Sequence, residues 1–214
     1  MTQLDTHNIK ENSIISVLRN IPKEKILKVV EALVKGGIFN IEIAFGSNEH
    51  KITGEMINTI NKEYGDYVTV GAGTVLLREQ VDIAAENGAK FVFSPNFNKD
   101  IVQLSLKNNM IPIPGCYTPS EIFEAYKLGT QTIKLFPATS LGPEFIKNIK
   151  SPLPFINLIP TGGIDKNNIE DYFNAGAFAV GVGSSLVDNA VVKLNHFDQI
   201  TANAKKLSNI GKTL

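Results

Sequence analysis

The chain has 214 residues, 43% of them hydrophobic, with 21 basic side chains against 21 acidic ones and a single cysteine, Cys116. That length supports one core of ordinary size, and the even charge balance argues against nucleic acid or a membrane surface as a partner. A lone cysteine excludes an internal disulfide, the opening MTQLDTHNIKENS lacks the apolar run of a secretory signal, and no apolar stretch approaches the roughly 20 residues of a membrane helix, so a cytoplasmic protein is expected.

Along the chain, apolar runs alternate with amphipathic ones. Residues 1–12 are expected to hold a short helix, and SIISVLR (13–19) reads as the first strand. KEKILKVVEALVKGG follows, with Ile26, Val29, Val30 and Leu33 on one helical face. Strands are then expected at 39–45 (FNIEIAF), 67–73 (YVTVGAG), 90–95 (KFVFSP) and 110–116 (MIPIPGC). TPSE opens a helix, with Thr118 as N-cap, Pro119 at the first helical position and Glu121 completing a capping box. The last strands are 132–138 (TIKLFPA), 156–163 (INLIPTGG) and 178–185 (FAVGVGSS), and a final helix is expected at about 195–208. Eight such units predict an α/β fold, a single (β/α)8 TIM barrel domain over 1–214 with its core at about 13–187. The alternative, an open doubly wound sheet, lacks a GxGxxG after the first strand.

Four units share a register. Gly37, Gly88, Gly129 and Gly176 are placed to follow helix ends, and five residues after each come Glu42, Phe93, Lys134 and Gly181, on alternate strands. In a TIM barrel such residues form one interior layer. Ile41, Ile43, Val92, Ile133, Leu135, Val180 and Val182, of the other parity, would pack beneath helices. The layer would hold a carboxylate and an amine, with space from Gly181 and an apolar wall from Phe93, and Arg19 would end the first strand at the same mouth.

A lysine amine is nucleophilic when burial and nearby positive charge keep it neutral, and a neutral lysine attacks a ketone to form an imine. Glu42 is the acid/base candidate for the accompanying proton transfers. The competing reading is a buried Glu42–Lys134 ion pair with no chemistry. PTGG (160–163) and VGVGSS (180–185) end the last two strands, where barrels of this class bind phosphate on backbone N–H groups, with Ser184 and Ser185 adding hydroxyls. Thr74 in GAGTV would either offer a hydroxyl to a carboxylate or cap the next helix. Cys116 reads as a small buried group, and His7, His50 and His196 fall away from the strand ends, which argues against a His-ligated metal.

Taken together, SVLR (16–19), IEI (41–43), GAGTV (71–75), SPN (94–96), IPGCYTPSE (113–121), IKLFPA (133–138), PTGG (160–163) and VGVGSS (180–185) resemble the KDPG aldolase and 4-hydroxy-2-oxoglutarate aldolase family, over about residues 13 to 187. The resemblance implies a class I aldolase that cleaves a 2-keto-3-deoxy-6-phospho-aldonate to pyruvate and glyceraldehyde 3-phosphate, without metal or organic cofactor, as a homotrimer. It implies Lys134 as the Schiff-base lysine and Glu42 as the acid/base. Thr74 would hold the pyruvate carboxylate, Pro95 and Phe136 would shape the pyruvyl pocket, and Gly162, Gly163, Gly183 and Ser184 would hold the phosphate. Gly46 departs: gluconate-type members carry an arginine there, and Arg19 is the candidate to replace it in binding substrate anions. SVLR, SPN, PGC and FPATSLGPEFIK resemble the galactonate branch. Two rivals keep the same residues: a metal-free phosphosugar isomerase or epimerase with Glu42 as base, and a non-catalytic phosphosugar-binding protein.

Overall fold

The computed structural model describes residues 7–46 and 50–212. Parallel strands alternate with helices through that span. The chain begins with α1 (His7–Glu11), β1 (Ile14–Leu18), a 3-10 turn (Lys23–Lys25) running into α2 (Ile26–Lys35), β2 (Asn40–Ala44), α3 (His50–Tyr64), β3 (Thr69–Gly73) and α4 (Arg78–Glu86). It continues with β4 (Phe91–Phe93), α5 (Lys99–Lys107), β5 (Ile111–Ile113), β6 (Gly115–Cys116), α6 (Pro119–Lys127), β7 (Thr132–Leu135) and α7 (Ala138–Lys150). It closes with β8 (Asn157–Pro160), α8 (Ile169–Asn174), β9 (Val180–Val182), α9 (Asn189–Lys193) and α10 (Phe197–Lys212).

The strands form an α/β fold with two parallel sheets, ordered β5-β4-β3-β2-β1-β9 and β6-β7-β8. The fifth expected strand is split at Pro114, so its first half pairs with β4 and its second with β7. Several expected strands also end early. The ladder stops at Phe93, Leu135, Pro160 and Val182, and the residues that follow turn into loops. Pro95 and Pro137 have no N–H to donate to a ladder, and Gly162 and Gly163 adopt φ of 99° and 73°, which breaks an extended run.

The helices form where the sequence signals them. Ile26, Val29, Val30 and Leu33 are all buried along α2. Thr118 Oγ1 accepts from the N–H of Glu121, and the Glu121 carboxylate accepts from the N–H of Thr118. Gly37, Gly88, Gly129 and Gly176 each follow a helix end with φ between 83° and 96°, the left-handed conformation that makes glycine the favoured residue there. Gly36 has a separate reason to be glycine: a Cβ there would lie 2.2 Å from that of Ala204, so its absence lets α10 press against α2. Hydroxyls of Thr201 and Ser208 donate to the carbonyls of Ala32 and Gly36 across that contact.

Alternate strand residues enter two separate apolar clusters. Ile41, Ile43, Val92, Ile133, Leu135, Val180 and Val182 join a large one that includes the buried sides of the helices. Ile15, Phe91, Phe93, Ile113, Ile159 and Ala179 form a smaller one on the opposite face, together with Ile9 of α1. The residues at issue for function lie on this second face, toward the strand C-terminal ends.

Candidate active site

Lys134 is 6% exposed in the middle of β7, between Ile133 and Leu135, which face the helices. Its ammonium lies 4.2 Å from the centre of the Phe93 ring and 4.7 Å from that of Phe136. Aromatic faces attract a cation but do not replace its water, so burial pulls the Lys134 pKa down to about 8. The charge of Glu42 opposes that shift, and the charge of Arg19 adds to it.

Glu42, on β2, is 1% exposed, and its Oε2 has no hydrogen-bond partner. Burial pushes its pKa up to about 7 against the pull of Lys134 and Arg19. The carboxylate occupies the place a side chain on β3 would take: a Cβ on Gly73 would fall 0.9 Å from Glu42 Oε1. Gly181, expected to leave room beside the pair, instead makes room for Thr161, whose Oγ1 would lie 2.3 Å from a Cβ there. Thr161 is the residue bridged to Gly181, while Glu42 is paired with Gly71 and leans along to Gly73, so in both cases the space is used from a neighbouring strand, which spacing along the chain does not reveal. Phe93 and Lys134 meet as the register predicts.

Arg19 follows β1 and donates from Nη2 to Thr74 Oγ1 at 2.9 Å. Thr74 directly follows β3 with φ of 55°, an uncommon conformation for a β-branched residue. It does not cap α4, whose N-cap is Leu77. At Gly46, an added Cβ would have nothing within 4 Å.

A cavity of about 260 Å³ opens over Lys134. Of the residues singled out from sequence, Arg19, Pro95, Phe136, Gly162, Gly163, Gly183 and Ser184 line it with Lys134. Glu42 and Thr74 are not in its wall: Glu42 lies buried, and Thr74 is tied to Arg19. The wall also holds Val17, Thr161, Ile164, Asp165 and Ser185. Val17 and Thr161 escaped notice, although each lies two residues along its strand from a residue of the same face. The hydroxyl hydrogen of Ser185 is donated to the carbonyl of Ile164, at 2.6 Å, which ties the two glycine loops together and leaves Ser184 as the free hydroxyl donor. The Phe136 ring lies against Gly162, 3.4 Å from where a Cβ would be. A buried lysine whose amine gives up its proton more readily than usual, a carboxyl that holds its proton more tightly than usual and a glycine-lined anion cradle are the parts of imine chemistry on a phosphorylated ketone.

Cys116 is buried and its pKa is pushed up to about 12, which keeps it a thiol. Among the described residues, no cluster of three or more His, Cys, Asp or Glu could hold a metal ion, and no helix is long and apolar enough to cross a membrane.

A family model described as KDPG and KHG aldolase matches residues 6–203. A 2-dehydro-3-deoxy-6-phosphogalactonate aldolase of Escherichia coli K12 is 34% identical over 81% of this chain and 83% of its own. A 2-dehydro-3-deoxy-phosphogluconate aldolase of Haemophilus influenzae is 32% identical over 93% and 92%. Among solved structures, one described as native KDPGal superposes with a TM-score of 0.85 at 30% identity, covering 94% of this chain and 96% of that one. A KDPG aldolase from Legionella pneumophila, with pyruvate captured as a covalent carbinolamine, superposes with a TM-score of 0.86 at 27% identity over the same shares.

Proposed function

The chain belongs to the KDPG and KHG aldolase family, and from that premise we propose that it cleaves its substrate through an imine on Lys134. It is a class I aldolase, an aldehyde-lyase acting on a phosphorylated 2-keto-3-deoxy-aldonate. The observation that carries the assignment of residues is Lys134 itself: a buried amine with its pKa drawn down to about 8, beside a carboxyl raised to about 7, opening on the cavity.

Neutral Lys134 attacks C2 of the keto acid, giving a carbinolamine that loses water to the imine. Glu42, through a water, supplies and removes those protons and takes the C4 hydroxyl proton as the C3–C4 bond breaks. Glyceraldehyde 3-phosphate departs, the enamine is protonated at C3, and hydrolysis releases pyruvate and the free amine. Arg19 and Thr74 anchor the substrate carboxylate, Pro95 and Phe136 bound the pyruvyl group, and Gly162, Gly163, Gly183 and Ser184 receive the phosphate. No step calls for a metal or an organic cofactor.

The two sheets are read here as one closed (β/α)8 barrel domain spanning the chain. Three features support this. Residues 111–116 pair with a strand of each sheet, Thr161 bridges to Gly181, and the N–H of Phe178 donates to the carbonyl of Leu158. The protein is further read as a cytoplasmic homotrimer. Exposed Leu76, Leu77, Tyr117, Phe123 and Phe155 offer apolar surface for assembly, and a solved cage built by fusing symmetric oligomeric domains is 30% identical over 94% of this chain.

The test is intact mass after incubation with pyruvate and borohydride, followed by peptide mapping. A pyruvate-sized adduct on Lys134 is expected. A folded protein without an adduct would leave the isomerase and binding-protein readings. Turnover on the gluconate and galactonate acids then separates the two substrates, and light scattering tests the trimer.

A further inference from the structure

We propose that Gln80 is a positioning residue for the Arg19–Thr74 anion anchor, holding the β3–α4 turn in shape by tying it to His50 of α3. The proposal rests on the reading of Arg19 and Thr74 as the anchor of the substrate carboxylate. Gln80 stands in the first turn of α4, where a side chain is usually solvated, yet it is 4% exposed. Its Oε1 accepts from the N–H groups of Leu76 and Leu77 at 2.7 and 3.0 Å. Leu77, at the N-cap, has no side-chain acceptor, so Gln80 closes this helix start alone.

Those two accepted bonds fix which end of the amide is oxygen. Nε2 can then only donate, and it faces His50 Nε2 at 3.1 Å. The imidazole is therefore the acceptor there. The His50 ring in turn packs edge-on against Phe45, just after the strand that carries Glu42. On the other side, the turn that Gln80 grips begins at Thr74, whose φ of 55° is costly and persists only where neighbours fix it. Thr74 Oγ1 receives Arg19. One connected path thus runs from His50 through Gln80 and the turn to the guanidinium at the cavity mouth. A helix cap needs only the bonds to Leu76 and Leu77; the burial of the amide and its second anchor on α3 exceed that need.

The variants Gln80→Leu and Gln80→Glu test it, the second keeping an acceptor for both N–H groups. Q80L is expected to raise KM for the phosphorylated keto acid, and the pyruvate concentration that half-saturates borohydride trapping, by about 5- to 10-fold with kcat within about 2-fold; Q80E returns both toward wild type. A folded Q80L with unchanged half-saturations, or parallel losses of kcat and affinity that Q80E does not rescue, overturns the proposal. Should Q80L not fold, His50→Phe decides: it is expected to raise both half-saturations about 2-fold, and no change overturns the proposal. A wild-type protein that traps no pyruvate defeats the Lys134 mechanism, and this inference falls with it. Normal trapping in both wild type and Q80L defeats the role of Gln80 alone.

Discussion

The two apolar clusters are made from alternate residues of the same strands, yet they have different compositions. Toward the helices, β7 presents Ile133 and Leu135, both essentially without exposure, and β1, β2, β3, β4, β8 and β9 add branched aliphatics to the same cluster. On the other face the same strand presents Lys134, β2 presents Glu42, and β3 presents the glycines Gly71, paired with Glu42, and Gly73. Gly71 gives its space to the ring of Phe91, as Gly73 does to Glu42. The helix-facing side concentrates stabilising burial. That leaves the opposite side free to hold two costly ionisable groups near neutrality, where each shifts the other's titration.

That division can be broken at four places, in decreasing order of effect. Lys134→Ala should abolish the pyruvate adduct altogether while the protein still folds; an adduct trapped elsewhere by peptide mapping would remove Lys134 from its role. In the wild type the unfolded chain holds the Lys134 proton up to its ordinary pKa of 10.5 and the folded chain only to about 8, so stability should rise with pH between those values, and K134A should flatten that slope in pH-dependent denaturation. Glu42→Gln should cut kcat by about 10²- to 10⁴-fold with the imine still trappable. Trapping in the wild type should increase as pH climbs through about 8, and because the Glu42 charge raises the lysine's pKa, E42Q should move that midpoint to lower pH. A midpoint that moves upward would contradict the electrostatic coupling.

Ile133→Ala, one residue from the lysine but facing the helices, should cost about 2–5 kcal/mol in urea unfolding and leave pyruvate half-saturation unchanged. A shift in half-saturation there would mean the two faces are not separable. Thr118→Ala, which removes the hydroxyl that caps α6, should cost about 0.5–2 kcal/mol in urea unfolding and leave pyruvate half-saturation unchanged.

How much of this the sequence discloses follows from which signals are local. A period of two, glycines past helix ends and a capping box are properties of neighbouring residues, so the strands, α2, α6 and the facing of Phe93 and Lys134 could be read directly. The strand ends were less legible, because SP, FP and TGG continue the apolar pattern while their backbones leave the ladder. Side-chain lean was not legible at all. It carries Glu42 past its own partner Gly71 into the space at Gly73, and the space at Gly181 goes to Thr161, a cross-strand partner that spacing along the chain does not name. The tie from Gln80 to His50 spans 30 residues and has no sequence pattern.

Arg19 lowers the proton affinity of both Lys134 and Glu42 while its own guanidinium lines the mouth of the cavity. An anion seated on that guanidinium cancels much of its charge and so returns proton affinity to both groups at once. Binding then carries a stoichiometry in protons: near neutral pH the complex takes up a fraction of a proton from the buffer, and by thermodynamic reciprocity the anion is held more tightly as pH falls. The same arginine that recruits the substrate therefore also makes its arrival a small acid–base event, readable as a dependence of the apparent binding heat on the ionisation enthalpy of the buffer.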